Sequence, residues 1–165
     1  MNRSFKIICF ISGLAVIFLD QLSKYIIQAK IPAQGIFLVN GNSLNIALAP
    51  VSNASLAFGL KVAPFFTNIL FILVLGLLIL WAISLYKKNE RKNLLLLTLI
   101  AGAAISNFID RIRMGGVYDF ISISFDNFYW PTFNFADTII TISVLYLLIK
   151  TIKNNSANSG IKKTL

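Results

Sequence analysis

The sequence predicts an all-α integral membrane protein with four transmembrane helices, and three observations carry that prediction. Only 13% of its 165 residues are charged, against 57% hydrophobic, whereas a soluble domain is about a quarter charged. Too little polar surface is left to coat a globule in water. Apolar runs long enough to cross a hydrocarbon layer of ~30 Å recur four times. The basic residues cluster beside those runs: Arg3 and Lys6; Lys87, Lys88, Arg91 and Lys92; and Lys150, Lys153, Lys162 and Lys163 supply ten of the fifteen. A net charge of +9 in a soluble chain would suggest nucleic acid. Clusters abutting apolar runs are instead a topology signal, so no nucleic-acid partner is expected.

The first span covers residues 7–27. Its apolar run, Ile7 to Leu19, is followed by Asp20, Gln21 and Lys24 with no well-placed small-residue cleavage site, so the helix reads as retained rather than as a cleaved leader. Residues 30–62 follow. Ile36 to Val39 and Leu44 to Leu48 are β-prone, and Asn40-Gly41 between them is a hairpin signal; a small extracytoplasmic sheet between helices 1 and 2 is expected. The second span, 64–86, is 23 residues without a charge and ends in a basic loop. The third, 93–113, stays uncharged to Ile109 and then meets Asp110, Arg111 and Arg113. The fourth, 130–150, carries only Asp137 as a charge before Lys150. Residues 154–165, rich in Asn, Ser and Lys, read as a disordered cytoplasmic tail, leaving 1–153 as one domain. The basic clusters orient the chain N-in/C-in. Asp20, Asp110, Asp119, Asp126 and Asp137, five of the six acidic residues, then lie at or beyond the outer ends of spans.

The chain has no histidine and a single cysteine, Cys9. That excludes an internal disulfide and a histidine triad and leaves no expectation of a metal or other cofactor. Chemistry must fall to carboxylates, amides, hydroxyls, Lys or Arg. Asp20 and Lys24 sit four apart on the first helix and read as a structural ion pair. Asn107 and Arg111 share a face of the third helix, with Asp110 one position off it, while Gly102 and Ser106 offer a small-residue patch for close packing. Asp137, about two turns inside an apolar run, forms with Asn134 and Thr141 a polar stripe expected to face the bundle interior. Asp119 lies just beyond the third span among Val117, Tyr118 and Phe120. Two such aspartates, brought together, cannot both ionise cheaply and share a proton. One then activates water while the other polarises a carbonyl, which is aspartic peptidase chemistry. Spacing alone leaves two alternatives open: end-of-helix residues reaching water, or an ion or proton relay in a non-enzymatic multipass protein.

Five motifs occur together and in order: Asp20-Gln21-Leu22-Ser23-Lys24, Asn53 through Ala57-Phe58-Gly59, Asn107-Phe108-Ile109-Asp110-Arg111, Val117-Tyr118-Asp119-Phe120 and Phe133-Asn134-Phe135-Ala136-Asp137. In this the chain resembles lipoprotein signal peptidase (signal peptidase II) over nearly its whole length. The resemblance implies a bacterial inner-membrane peptidase, its active site near the outer face. The substrate would be a diacylglyceryl-modified prolipoprotein cut just before the lipidated cysteine. It implies Asp119 and Asp137 as the catalytic pair. Asn53, Phe58, Gly59, Asn107, Asp110, Arg111 and Asn134 would hold substrate or support the pair, and Asp20 and Lys24 would support the first helix. A monomer working on lipidated precursors within membrane lipid is expected. Ser55, Ala103 and Ser106 stand where the family usually has glycine, which bears on helix approach and pocket shape. The competing reading is a paralogue that binds precursors without cutting them.

Overall fold

The computed structural model describes residues 1–55 and 63–161. Helix α1 (Arg3–Lys30) starts where the Asn2 side chain accepts the Phe5 N–H at 3.1 Å, satisfying one orphan donor of the first turn. Helix α2 (Pro64–Lys87) opens on a proline, whose missing N–H is no loss there. Helix α3 (Arg91–Met114) stops at Gly115, held at φ 75, a left-handed cap that glycine adopts freely. Helix α4 spans Phe135–Ile161. All four are long and apolar enough to cross a membrane. Phe65, Leu73, Leu77 and Leu80 of α2 are exposed, as a lipid-facing surface requires.

Helix α3 is the hub: α1, α2 and α4 all pack against it. α1 and α3 approach so closely that a Cβ at Gly102 would lie 2.5 Å from the Gly13 carbonyl oxygen. Val16, Ala103 and Ala136 then fill the α1–α3–α4 junction. The small-residue patch expected at Gly102 and Ser106 does serve close packing, and its partner is Gly13. At the other end of the bundle, Cys9, Leu85, Leu94 and Leu97 join α1, α2 and α3. α2 lies along α3, with Phe71 stacked on Phe108 at 4.0 Å. Among the described residues its backbone makes no close approach to α4.

The sheet is larger than expected. β1 (Ile36–Asn40), β2 (Leu44–Asn53), β3 (Val117–Phe125) and β4 (Phe128–Tyr129) form one antiparallel sheet in the order β1-β2-β3-β4. Half of its strands therefore come from the α3–α4 connection, not from between α1 and α2. β3 is the reason: Val117, Asp119, Ile121, Ile123 and Phe125 alternate with Tyr118, Phe120, Ser122 and Ser124, a period of two. The register between β2 and β3 shifts between Leu48 and Val51, where Pro50, unable to donate to the ladder, falls. The pairing places Val51 opposite Asp119 and Asn53 opposite Val117.

Two further expectations are corrected. α4 begins at Phe135, not at Trp130, because Phe133 is drawn into the sheet by paired backbone bonds with Ile121. Asp137 thus lies in the first turn of α4 rather than two turns deep, and Thr141 is exposed instead of facing the interior. Helical backbone of α4 continues to Ile161, within the segment expected to be a tail, whose last residues, 162–165, lie outside the described residues.

Candidate active site

The sheet caps the end of the bundle where α1 and α3 finish and α2 and α4 begin, and the polar residues converge beneath it. The deepest layer is ionic. Lys24 Nζ lies 2.6 Å from Asp20 Oδ2 and 2.6 Å from Asp110 Oδ2, with all three side chains almost wholly buried. Buried charges need further hydrogen bonds to offset their desolvation, and here each of the four carboxylate oxygens receives at least one donor. Ser106 Oγ donates to Asp20 Oδ2 at 2.7 Å, and the Ala136 N–H to Asp20 Oδ1 at 2.9 Å. Gln21 Nε2 donates to Asp110 Oδ1 at 2.8 Å, and the Tyr118 N–H to Asp110 Oδ2 at 3.2 Å. The expected Asp20–Lys24 pair is present, but Asp110 completes it, so Asp110 is tied to the ion cluster and is only 1% exposed.

Above this lies a layer of amides. Asn107 Nδ2 donates to Asp137 Oδ1 at 2.8 Å. Asn53 Nδ2, at the end of β2, donates to Asp119 Oδ2 at 3.1 Å. Asn134 Nδ2 donates to Asp119 Oδ1 at 2.7 Å and to Asn107 Oδ1 at 3.1 Å. Asn134 also caps α4 reciprocally: its Oδ1 accepts the Asp137 N–H at 2.9 Å, and Asp137 Oδ2 accepts the Asn134 N–H at 3.3 Å. That is a capping box, fixing both side chains at the helix start.

Asp119 on β3 and Asp137 on the first turn of α4 are thus tied to one residue, Asn134. Burial raises the Asp119 carboxyl to about 6; the nearby Asp137 charge adds to the rise, and the Asn53 and Asn134 amides oppose it. A carboxyl so placed exchanges its proton near neutral pH, as acid–base work requires. Burial also raises the Tyr118 phenol.

Arg111 makes no ion pair among the described residues; its Nη2 donates to the Ser55 carbonyl at 3.0 Å. The Ser55 N–H donates to Asn53 Oδ1 at 3.0 Å, so the Ser55 backbone joins Arg111 to the amide that serves Asp119. Phe58 and Gly59 lie outside the described residues. No group of three or more acidic or cysteine side chains among the described residues is arranged to hold a metal ion. Sequence alone assigns no role to Gln21 and gives Ser106 only a small-residue packing role, yet both bond the ion cluster. Both were legible as polar groups on otherwise apolar helix faces, where an unpaired donor is costly.

The family model for signal peptidase (SPase) II matches residues 12–153. The lipoprotein signal peptidase of Anaplasma marginale (strain Florida) is 34% identical, covering 87% of this chain and 83% of that protein. That of Syntrophus aciditrophicus (strain SB) is 33% identical, covering 87% and 91%. The structure of a bacterial membrane enzyme at 2.3 Å resolution superposes with a TM-score of 0.70 at 27% identity, covering 90% of each chain.

Proposed function

Because this chain belongs to the signal peptidase II family, we propose that it is a membrane aspartic endopeptidase that cuts diacylglyceryl-modified prolipoproteins just before the lipidated cysteine, with Asp119 and Asp137 as the catalytic pair. Family membership makes it a protease of lipoprotein signal peptides, and the four apolar helices make it a multipass inner-membrane protein. The observation that carries the finer reading is Asn134, whose side-chain amide binds Asp119 and whose backbone N–H binds Asp137. That holds two carboxylates from separate elements over one patch.

With one proton shared, the ionised carboxylate takes a proton from water as its oxygen attacks the scissile carbonyl carbon. The protonated partner donates to the carbonyl oxygen. Collapse of the tetrahedral intermediate breaks the C–N bond, and the proton taken from water passes to the leaving amine of the lipidated cysteine. Asn53, Asn107 and Asn134 hold the carboxylates throughout, and Arg111 steadies the strand end at Ser55. Substrate arrives laterally, between α2 and α4, where the two helix backbones stay apart. The chain works as a monomer, N-in/C-in, with the sheet and both aspartates at the outer membrane surface.

Purified protein is incubated with the same precursor in lipidated and unlipidated form, and the released signal peptide is read by mass. Cleavage of the lipidated form alone, or at least 10-fold faster as a rough threshold, is expected. Equal rates would overturn the lipoprotein reading while leaving the peptidase intact.

A further inference from the structure

The ion cluster beneath the aspartates does more than hold α1 to α3. The Lys24 ammonium has three N–H donors and no acceptor capacity, and three oxygens take them: Asp20 Oδ2, Asp110 Oδ2 and Asn107 Oδ1, the last at 2.9 Å. Asn107 Oδ1 also receives Asn134 Nδ2, so two donors converge on one amide oxygen. Turning that amide over would point its NH2 group at an ammonium and at another NH2. It would also strand Asp137 Oδ1 without its donor, inside a site where an unmade bond costs the full desolvation of the group.

We infer that Lys24 is a positioning residue for catalysis, which by holding Asn107 Oδ1 fixes the Asn107 amide so that Nδ2 alone faces Asp137. This rests on the proposed role of the aspartate pair. The charge arrangement favours orientation over field: one ammonium lies between two carboxylates, so the cluster already carries a net negative charge. The charged groups facing Asp137 are Lys24 and Asp20 from α1, Arg111 from α3 and Asp119 from β3. Of these, Lys24 is the one that holds Asn107, whose Nδ2 donates to Asp137.

The test is a charge-balanced pair, Lys24→Met with Asp110→Asn. It removes the ammonium together with one of its carboxylates, keeps the net charge of the cluster and avoids leaving two buried acids unpaired. Folded fraction is set by thermal unfolding in detergent, and cleavage of a lipidated precursor is resolved into kcat and KM per folded molecule. The inference expects kcat to fall about tenfold or more, as for a misplaced catalytic group, with KM little changed. It expects no further loss when the pair is added to Asn107→Ala, because Lys24 acts through that side chain. Lys24→Gln with Asp110→Asn, which restores a donor for Asn107 Oδ1, should recover most of kcat. Wild-type kcat in the Lys24→Met pair, or the full loss repeated on the Asn107→Ala background, would overturn it and leave Lys24 as fold support only. If the wild-type protein leaves the precursor uncut, it is the functional reading that fails.

Discussion

Asn134 shows how much one side chain decides. It is fully buried, caps α4 by accepting the Asp137 N–H on Oδ1, and donates from Nδ2 to both Asp119 and Asn107. The aspartates themselves were legible in the sequence as carboxylates among apolar neighbours, in a chain without histidine. The capping box was written there too, as Asn134 followed three residues later by Asp137. It was hidden by reading the helix from Trp130, which turned a cap into a stripe. The raised Asp119 carboxyl makes a prediction with a definite sign. Burial, with the Asp137 charge adding to it, puts the loss of the Asp119 proton at about 6. The singly protonated form disappears as pH rises through that value, and kcat/KM, which reports the free enzyme, should decline above it. Asn53→Ala removes a bond that lowers this carboxyl, so the descending limb should move to higher pH in a pH–rate profile. The linkage to stability has the matching sign. The folded state binds this proton more tightly than the unfolded chain does, so its contribution to stability is lost as pH rises from 3.8 to about 6.

At the scale of elements, the helices were readable because membrane spans announce themselves by length and lack of charge, and their order emerged correctly. β1 and β2 were readable from the Asn40-Gly41 turn. β3 was not recognised although its alternation is regular, because the aromatic residues after it, Phe128 to Phe133, merge into the apolar run of α4. Pairing between loops 66 residues apart, as Asn53 and Asp119 are, leaves no local signature. The α1–α3 contact was half visible: Gly102 was marked as a close-packing site, but Gly13 needed the structure. Gly102→Val places a branched side chain where even a Cβ would sit 2.5 Å from backbone. It should cost about 2 kcal/mol or more by overpacking, read as a lowered unfolding temperature in detergent. Gly76→Ala on α2, where an added Cβ meets nothing within 4 Å, should leave that temperature unchanged or slightly raised.

For the whole molecule, the architecture explains why a peptidase can be this small. Three helices pack around α3, and two connections 64 residues or more apart in sequence are zipped into one sheet that seats an aspartate on β3 over the first turn of α4. The proposed N-in/C-in orientation rests on the basic clusters. A reporter active only outside the cytoplasm should work when fused near Gln34 or Asp126 and fail at Asn89 or after Ser156, and activity at Asn89 would reverse the orientation. Asp119 and Asp137 are proposed to act as one catalytic unit. Cleavage of a lipidated precursor by purified wild type, Asp119→Asn, Asp137→Asn, the double variant and an Asp126→Asn control tests this most directly, with folding checked in parallel. Each single substitution should fold, since it removes one of two crowded acids. Each should lower kcat by several orders of magnitude, with the double variant little worse than either and Asp126→Asn nearly silent. A well-folded Asp137→Asn protein that kept more than a modest fraction of wild-type cleavage would show that the two aspartates are not one catalytic unit.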